Sequence, residues 1–442
     1  MRIKKILIGI LSCFIFNLSL AISEKKLWTI IIYMSADNDL HLFADRNIEQ
    51  MKRIGSTEFC NILVHLDIRK PNVPKVTKRL HIQKNKALQC GSDLCMDSGS
   101  EATLVDAILW AQNEFPCEHL AVVFWNHGSG DLNPTINRTI NPAQLFFYNP
   151  NTRLIELDRS IGFLDYIDAL LQKNSEQRGI CFDDSMGTYL NDQKLKAALG
   201  RVCAERGKKI DLLLFDACLM AGLGTAWLMK DFADYMVASE EVALGPGYDY
   251  SLVLSAFAHN QIEPRRAAHH VVTCYEKIYS RVTQDYTQSA FDLSQVYQLA
   301  EHVDKLAEYL IQALKHQRNN SVKNSIRQAL ACVVFKEPTY RDLGSFYQKL
   351  LGVVHNFQLK PALDAHKFIT ELEHHLIQGL ELIKNVVIAN VTGSKIKGAL
   401  GIYLYIPSKR IHSSYIHTEF AQHNRWKDFL AEFLVNSKQA AY

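Results

Sequence analysis

The sequence lacks a strong charge bias, and this limits the partners that it can have. Its 442 residues contain 49 Lys and Arg against 46 Asp and Glu, a net charge of +3 with His neutral. A protein that mainly binds nucleic acid usually carries a basic patch or stripe, and none is visible here. We therefore expect protein or peptide substrates and no nucleic acid. The oligomeric state stays open.

Motifs for metal and phosphate chemistry are also missing. No His-Glu-x-x-His sequence occurs, and the adjacent His269 and His270 on a predicted helix point in different directions. The glycines at 245 and 247 do not lead into the Lys-Ser/Thr of a phosphate-binding loop. These absences argue against a zinc peptidase and against a Walker-type nucleotide site.

Apolar runs of membrane-spanning length are absent as well. Residues 6–16 are largely apolar, follow three basic residues and precede small residues at 19–21, which is the three-part pattern of a secretory signal. The run is shorter than the ~20 residues of a membrane span. We expect a signal peptide at 1–21, export to a periplasm or the medium, and no stable membrane association afterwards. A retained anchor is the alternative.

Cysteine is present ten times, and nine remain if the signal is removed. An oxidising compartment permits disulfides, and Cys90 and Cys95 are the pair closest in sequence. An odd total leaves at least one thiol without an intramolecular partner. That agrees with a catalytic cysteine without identifying it, and the alternative is that most are small buried apolar residues.

Short apolar runs alternate with amphipathic segments over the first half of the chain. Such alternation predicts an α/β fold with a mainly parallel sheet and helices on both faces, since strands buried on both sides read as unbroken apolar runs. The predicted strands are 28–34, 61–66, 120–125, 180–182, 210–215 and 235–238, with an edge strand at 75–83, and the predicted helices are 37–54, 100–115, 191–205 and 219–230. Residues 129–177 read as a loop-rich stretch with a helix at 164–173.

The second half of the chain is largely helical in pattern. We divide the mature chain into a first domain at 27–255 and a C-terminal accessory region at 256–442 with a late β element. The predicted helices there are 263–281, 293–315, 321–331, 342–354, 364–383 and a closing helix at 420–435, with a strand pair at 386–390 and 398–406.

Two residues with nucleophilic and acid–base chemistry follow predicted strands. His127 and Cys218 each lie just past the end of an apolar run, and in open α/β sheets ligands bind at the carboxyl ends of the strands. We expect Cys218 to open the helix at 219–230, whose positive end would lower the thiol pKa. His127 can exchange a proton near neutral pH. A buried structural cysteine and an ordinary loop histidine are the alternatives.

The motifs around these residues resemble those of one peptidase family. The segment 123–130 resembles the His-Gly motif of the clostripain family, and 211–220 resembles its Asp-Ala-Cys nucleophile motif. The likeness is good over 27–250 and looser beyond. Further segments that resemble the family are 33–40, 179–190 and 235–250, with late similarities at 401–403 and 425–426.

The resemblance implies a caspase-like α/β/α sandwich and a cysteine endopeptidase. Cys218 would attack the scissile carbonyl as a thiolate, and His127 would protonate the leaving amine and then help to activate water. The backbone N–H groups of Gly128 and Cys218 would hold the oxyanion. A catalytically silent peptide-binding module and a transpeptidase that uses the same thioester are the competing interpretations.

The resemblance also implies cleavage after Arg or Lys. A basic side chain requires a carboxylate in its pocket, and Asp216 and Asp249 are the candidates. The alternative for Asp216 is a cap at the start of the predicted helix, and for Asp249 a solvated turn residue.

Family members are often processed between the His and Cys motifs, so a zymogen is expected. The departure here is Asp131, which stands where the family tends to have Trp, and a long insert follows it. The basic residues in this stretch are Arg138, Arg153, Arg159 and Lys173.

Some relatives use calcium. The acidic pairs at 183–184 and 240–241 are the candidate ligands, but neither shows the spacing of a known calcium loop. We expect no cofactor.

Overall fold

The computed structural model describes residues 25–132, 145–158 and 179–435. The predicted signal peptide at 1–21 and the predicted helix at 164–173 lie outside the described residues. Among those that are described, no helix is both long and apolar enough to cross a membrane.

Nine of the described strands form one twisted sheet in the order β14-β12-β11-β10-β5-β1-β2-β3-β4. The five central strands run parallel, whereas both flanks are antiparallel. The α/β prediction with a mainly parallel central sheet is therefore confirmed. The strands are β1 (Lys26–Ala36), β2 (Cys60–Ile68), β3 (Val76–Gln83), β4 (Lys86–Gln89), β5 (Cys117–Trp125), β6 (Phe146–Asn149), β7 (Leu154–Leu157), β8 (Ile180–Asp183), β9 (Thr188–Leu190), β10 (Ile210–Asp216), β11 (Ala233–Ala238), β12 (Thr287–Asp292), β13 (Tyr340–Asp342), β14 (Val387–Thr392) and β15 (Tyr403–Tyr405).

Helices cover both faces of this sheet. Successive residues of β1 illustrate why: Ile31 and Tyr33 belong to one apolar cluster, and Ile30 and Ile32 to the other. Because neighbouring side chains of a strand point to opposite faces, a strand covered on both sides must be apolar throughout. The helices are α1 (His41–Ile54), α2 (Glu101–Glu114), α3 (Asp192–Arg206), α4 (Leu223–Met229), α5 (Tyr250–Val253), α6 (Ser255–His259), α7 (Pro264–Tyr279), α8 (Val296–His316), α9 (Ser321–Ala329), α10 (Leu343–Leu351), α11 (Ala365–Val386), α12 (Glu419–His423) and α13 (Trp426–Val435).

The late β element differs from its prediction. The segments 386–390 and 398–406 do not pair with each other: β14 joins the central sheet beside β12, and β15 pairs with β13. The sequence-based interpretation missed β12, whose Thr-Gln-Ser start lacks an apolar run although the strand is largely buried. The sheet therefore continues past residue 255, where the two regions were divided.

Smaller differences concern the edges and the end of the chain. β3 is not the sheet edge, because β4 pairs with its outer side. The loop-rich stretch contains the hairpin formed by β6 and β7. The closing helix is divided into α12 and α13 by an extended Asn424.

The nine cysteines among the described residues are all free thiols, including Cys90 and Cys95.

Candidate active site

The register of two central strands brings the candidate nucleophile and the candidate acid–base residue together. β5 and β10 run parallel, with Trp125 opposite Asp216. His127 and Cys218 each lie two residues beyond these partners, and they line the same cleft. The structure therefore places two residues that are 91 positions apart in the sequence at the same sheet edge. Leu40, Asn126, Ala217, Ala243, Leu244, Gly245 and Gly247 also line the cleft.

The backbone after Cys218 is not helical, so the prediction of a helix from residue 219 is wrong. α4 begins only at Leu223, and Leu219 has a left-handed φ of 60°. The intervening segment runs beside the chain that follows β11: the Leu219 N–H donates to the Glu241 carbonyl and the Ala221 N–H to the Ser239 carbonyl. Hydrogen bonds to a neighbouring segment have replaced those of a helical turn.

The environment of the thiol follows from this geometry. Cys218 is 6% exposed, and its Sγ accepts the Ala243 N–H at 3.3 Å. Burial raises the pKa of the Cys218 thiol to about 12; the Ala243 N–H opposes the shift, and the charge of Glu241 adds to it. The expected lowering of this pKa by a helix N-terminus is therefore not observed. The raised pKa favours the neutral thiol over the thiolate.

His127 has a carboxylate partner that the sequence analysis did not identify. Its Nε2 lies 2.7 Å from Oδ1 of Asp39, which is in the turn between β1 and α1. The His127 side chain is 10% exposed and that of Asp39 22% exposed. A carboxylate in this position fixes the ring orientation and stabilises the imidazolium form. One sequence feature could have pointed to Asp39: it follows β1, the central strand that pairs with β5.

Gly128 occupies a position that only glycine fits. A Cβ built there would lie 2.5 Å from the carbonyl oxygen of Cys218 and 2.9 Å from Sδ of Met220. The loop that carries His127 thus rests directly on the loop that carries Cys218. The role of the Gly128 and Cys218 N–H groups in binding an oxyanion stays a prediction.

Asp216 lies on the floor of the cleft. Its carboxylate accepts hydrogen bonds from the Tyr248 N–H at 3.1 Å and from the Tyr250 hydroxyl at 2.9 Å. Burial raises the pKa of Asp216 to about 7, and both hydrogen bonds oppose the shift. It does not cap a helix, since α4 begins seven residues later.

Asp249 has a different role. Its carboxylate accepts the N–H groups of Ser251 at 2.9 Å and Leu252 at 3.3 Å, and so caps α5. Among the residues that the structure describes, it is not one of those that line the cleft.

The two acidic pairs named as candidate calcium ligands lie in different surroundings. The Asp183 carboxylate is paired with the Lys75 ammonium, which also lies 3.0 Å from Asp67 and 3.4 Å from Asp37. One internal ammonium is therefore shared by three carboxylates. Glu240 is fully buried. Within the described ranges, no group of three or more His, Cys, Asp or Glu side chains is arranged to hold a metal ion.

Of the four basic residues in the stretch 129–177, the structure describes Arg153 alone. It is exposed in the turn between β6 and β7, with φ 58°. The hairpin is fixed to the body of the protein by the Ile155 N–H, which donates to the Val282 carbonyl at 2.9 Å, and by Lys395, 2.7 Å from Glu156. Arg138, Arg159 and Lys173 lie outside the described residues.

Comparison with solved structures identifies the fold. The chain is similar to two structures of a secreted C11 cysteine protease from Bacteroides thetaiotaomicron, one of them in complex with an irreversible peptide inhibitor. For the inhibitor complex the identity is 19%, covering 91% of this chain and 99% of that chain at a TM-score of 0.58. For the second, named iotapain, the identity is 14%, covering 90% and 99% at 0.61.

A third similar structure is an inactive zymogen C11 protease from Parabacteroides distasonis. Its identity is 16%, covering 92% of this chain and 98% of that chain at a TM-score of 0.58. At these identities the likeness shows the fold alone, which confirms the caspase-like prediction. No curated protein sequence matches the chain.

The model of the clostripain family matches residues 32–141 and 161–433. This match includes the loops of both His127 and Cys218 and most of the C-terminal region. The chain therefore belongs to the clostripain family of cysteine peptidases.

Proposed function

We propose that this peptidase cleaves peptide bonds after Arg or Lys, with Cys218 as the nucleophile and His127 as the general acid and base. The observation that carries the proposal is one cleft that combines the thiol, the imidazole and a buried carboxylate. Family membership supports peptide-bond hydrolysis by a cysteine, and this geometry supports the assignment of the residues.

The arrangement suits a sequence of balanced proton transfers. The Cys218 sulfur bonds to the scissile carbonyl carbon while its proton passes to the imidazole of His127, because the thiol is neutral at rest. The imidazolium, stabilised by Asp39, then protonates the leaving amine as the C–N bond breaks. In the second half, His127 takes a proton from water as the water oxygen attacks the thioester carbon. The C–S bond then breaks, the carboxylic acid product leaves, and His127 returns the proton to the sulfur. The N–H groups of Gly128 and Cys218 hold the oxyanion.

Specificity for a basic residue is supported by Asp216. A buried carboxylate on a cleft floor gives a cationic side chain a strong, charge-assisted partner. Leu40 and Leu244 in the same lining can pack against the aliphatic part of Arg or Lys. Asp249 offers less support, because it is not among the described residues that line the cleft.

A peptide library that varies the residue before the cleaved bond tests both parts of the proposal. Wild type should cleave after Arg and Lys, and Cys218→Ala should cleave nothing. Asp216→Asn should lose the basic preference by ~10-fold or more, because a charge-assisted pair is removed.

Asp249→Asn is the matched control for this library, and it should keep the wild-type preference. Turnover by Cys218→Ala would refute the assignment of the nucleophile. An unchanged preference in Asp216→Asn would refute the assignment of the pocket.

Export and self-processing are part of the same proposal. The pattern at 1–21 supports export, and the basic residues between the motifs support cleavage there. Because Arg153 lies in a paired hairpin, Arg138, Arg159 and Lys173 are the better candidates. Terminal sequencing of wild type and of Cys218→Ala, expressed with the full chain, should show loss of 1–21 in both and internal cleavage in wild type alone.

A further inference from the structure

Two stacked tyrosines from the C-terminal region lie against both catalytic loops. Tyr340 of β13 and Tyr403 of β15 are fully buried, with ring centroids 4.2 Å apart and ring planes 9° from parallel. The family resemblance includes Tyr403 within 401–403, yet neither tyrosine has a part in the chemistry described above. Their position between the two loops indicates a structural role.

Each hydroxyl binds a different loop. The Tyr340 hydroxyl donates to the Ser129 carbonyl at 2.7 Å, two residues after His127. The Tyr403 hydroxyl donates to the Leu219 carbonyl at 2.7 Å, one residue after Cys218. The stacked rings therefore connect the histidine loop to the cysteine loop through two short hydrogen bonds.

The loops have no side chains where Tyr403 approaches them. A Cβ on Gly130, which has φ +64°, would overlap the Tyr403 hydroxyl, and a Cβ on Gly222 would lie 2.5 Å from the Tyr403 ring. The Tyr403 N–H also donates to the Ala221 carbonyl at 3.1 Å. Close approach of this kind requires glycine at both positions.

The C-terminal end of the chain supports the two strands that carry these rings. β13 and β15 pair with Tyr340 opposite Tyr405. The indole N–H of Trp426 donates to the Tyr405 carbonyl at 2.9 Å. The segment 425–426, which also resembles the family, is thus part of the same structure.

We propose that Tyr340 and Tyr403 form a clamp that fixes the spacing between His127 and Cys218. They are positioning residues, since neither is among those that line the cleft in the described part of the chain. This inference rests on the proposed function, in which the imidazole must exchange protons with groups at the sulfur. A displacement of ~1 Å between reacting groups can cost ~100-fold in rate, so small changes in loop spacing should affect turnover.

Tyr340→Phe and Tyr403→Phe test the clamp, because each removes one hydroxyl and keeps the ring. We expect kcat to fall ~10-fold in each, with KM unchanged, because substrate binding does not use the clamp. The double variant should lose no more than the worse single variant, since breaking either link already separates the loops.

Tyr405→Phe is the matched control. Tyr405 lies on β15, as Tyr403 does, and is fully buried. Its ring centroid lies 4.2 Å from that of Tyr415, with the ring planes tilted by 32°. Its hydroxyl accepts the His412 N–H at 2.7 Å, away from both loops. It should lower the melting temperature as the other variants do while keeping wild-type kcat.

Three outcomes would overturn the clamp: wild-type kcat in both single variants, the same loss of kcat in Tyr405→Phe, or additive losses in the double variant. Cys218→Ala is measured alongside. If it is inactive while the tyrosine variants keep wild-type kcat, the clamp fails and the proposed function stands. If it keeps turnover, the proposed function fails instead.

Discussion

Burial governs the ionisation of the two acidic groups in the cleft. It raises the pKa of the Cys218 thiol to about 12 and that of the Asp216 carboxyl to about 7. These shifts favour the neutral thiol, so the proposed attack by Cys218 requires a base that removes the thiol proton. Among the described residues that line the cleft, His127 carries the one imidazole, and we propose it as that base.

Alkylation of Cys218 by iodoacetamide should show this directly. Below its pKa a thiol gains ~10-fold in thiolate for each pH unit. With a pKa of about 12 the rate should still be rising at pH 9, without a plateau. Mass spectrometry of the peptide that contains Cys218, from pH 6 to 9, measures the rate. A plateau below pH 8 would show that the thiol is activated in the resting enzyme.

Asp39→Asn tests how much the Asp39 carboxylate contributes to the function of the His127 imidazole. The amide keeps the shape but not the charge that stabilises the imidazolium, so we expect kcat to fall ~100-fold, the lower end of what general acid–base catalysis contributes. Asp45→Asn is the control, because that carboxylate is 68% exposed and pairs with Lys70 on the surface. Steady-state kinetics of both variants measure the effect. Equal kcat in Asp39→Asn and Asp45→Asn would show that Asp39 has no part in the mechanism.

At the scale of elements, glycines determine how closely the loops approach. Gly247 has φ +62°, and a Cβ there would lie 2.5 Å from Oδ1 of Asp216. Gly207, at the end of α3, has a similar φ of +68° but nothing within 4 Å of its Cβ position. The two positions share the backbone conformation and differ in what surrounds them.

Gly247→Ala and Gly207→Ala should therefore differ in function. Both should lose ~1 kcal/mol of unfolding free energy, because a side chain at positive φ is strained. Gly247→Ala alone should also raise KM for Arg substrates, since its methyl group displaces the Asp216 carboxylate. Thermal unfolding and steady-state kinetics measure the two effects. A normal KM in Gly247→Ala would show that Asp216 does not set the pocket.

The elements that the sequence predicted well are those whose pattern has one physical explanation. The unbroken apolar runs of β1, β5 and β10 fit only strands covered on both faces. The placement of His127 and Cys218 at one sheet edge followed from these strands.

The helix after Cys218 was predicted wrongly for a reason that lies in tertiary structure. The apolar residues 219–221 satisfy either a helix or a buried extended segment, and the backbone of Ser239 and Glu241 decides for the latter. Asp39 was missed in the same way, because its partner is 88 residues away. Hydrogen bonds between distant segments leave no local periodicity.

At the scale of the whole molecule, the C-terminal region is continuous with the sheet and reaches the loops that carry His127 and Cys218. β12 and β14 extend the sheet, while β13 and β15 carry the tyrosines beside the catalytic loops. A further contact joins the two regions: the buried carboxyl of Glu240, just before the segment that pairs with Leu219, lies near Asp342 at the start of α10.

This carboxyl pair should make stability depend on pH. Burial and the neighbouring Asp342 raise the pKa of Glu240 well above its ordinary value, and burial raises that of Asp342 to about 6. Among the described residues, neither oxygen of Glu240 has a hydrogen-bond partner at ordinary distance. The folded state therefore keeps carboxyl protons that the unfolded state releases above pH ~4.3. The stabilisation that is present at pH 4 is lost as the pH rises through the raised pKa values of Glu240 and Asp342.

Glu240→Gln removes one of the two titratable carboxyls while keeping the size of the side chain. The difference in unfolding free energy between variant and wild type should shift in favour of the variant from pH 5 to 8, by up to ~1.4 kcal/mol per pH unit where Glu240 alone titrates. Urea unfolding at each pH measures it. Buried His65, with a pKa lowered to about 3 by burial, affects both proteins equally and cancels. Glu49→Gln, at a carboxylate 61% exposed, should show no such trend. A pH-independent difference for Glu240→Gln would mean that Glu240 is ionised in the folded protein over this range, as it is in the unfolded chain, and that its pKa is not raised.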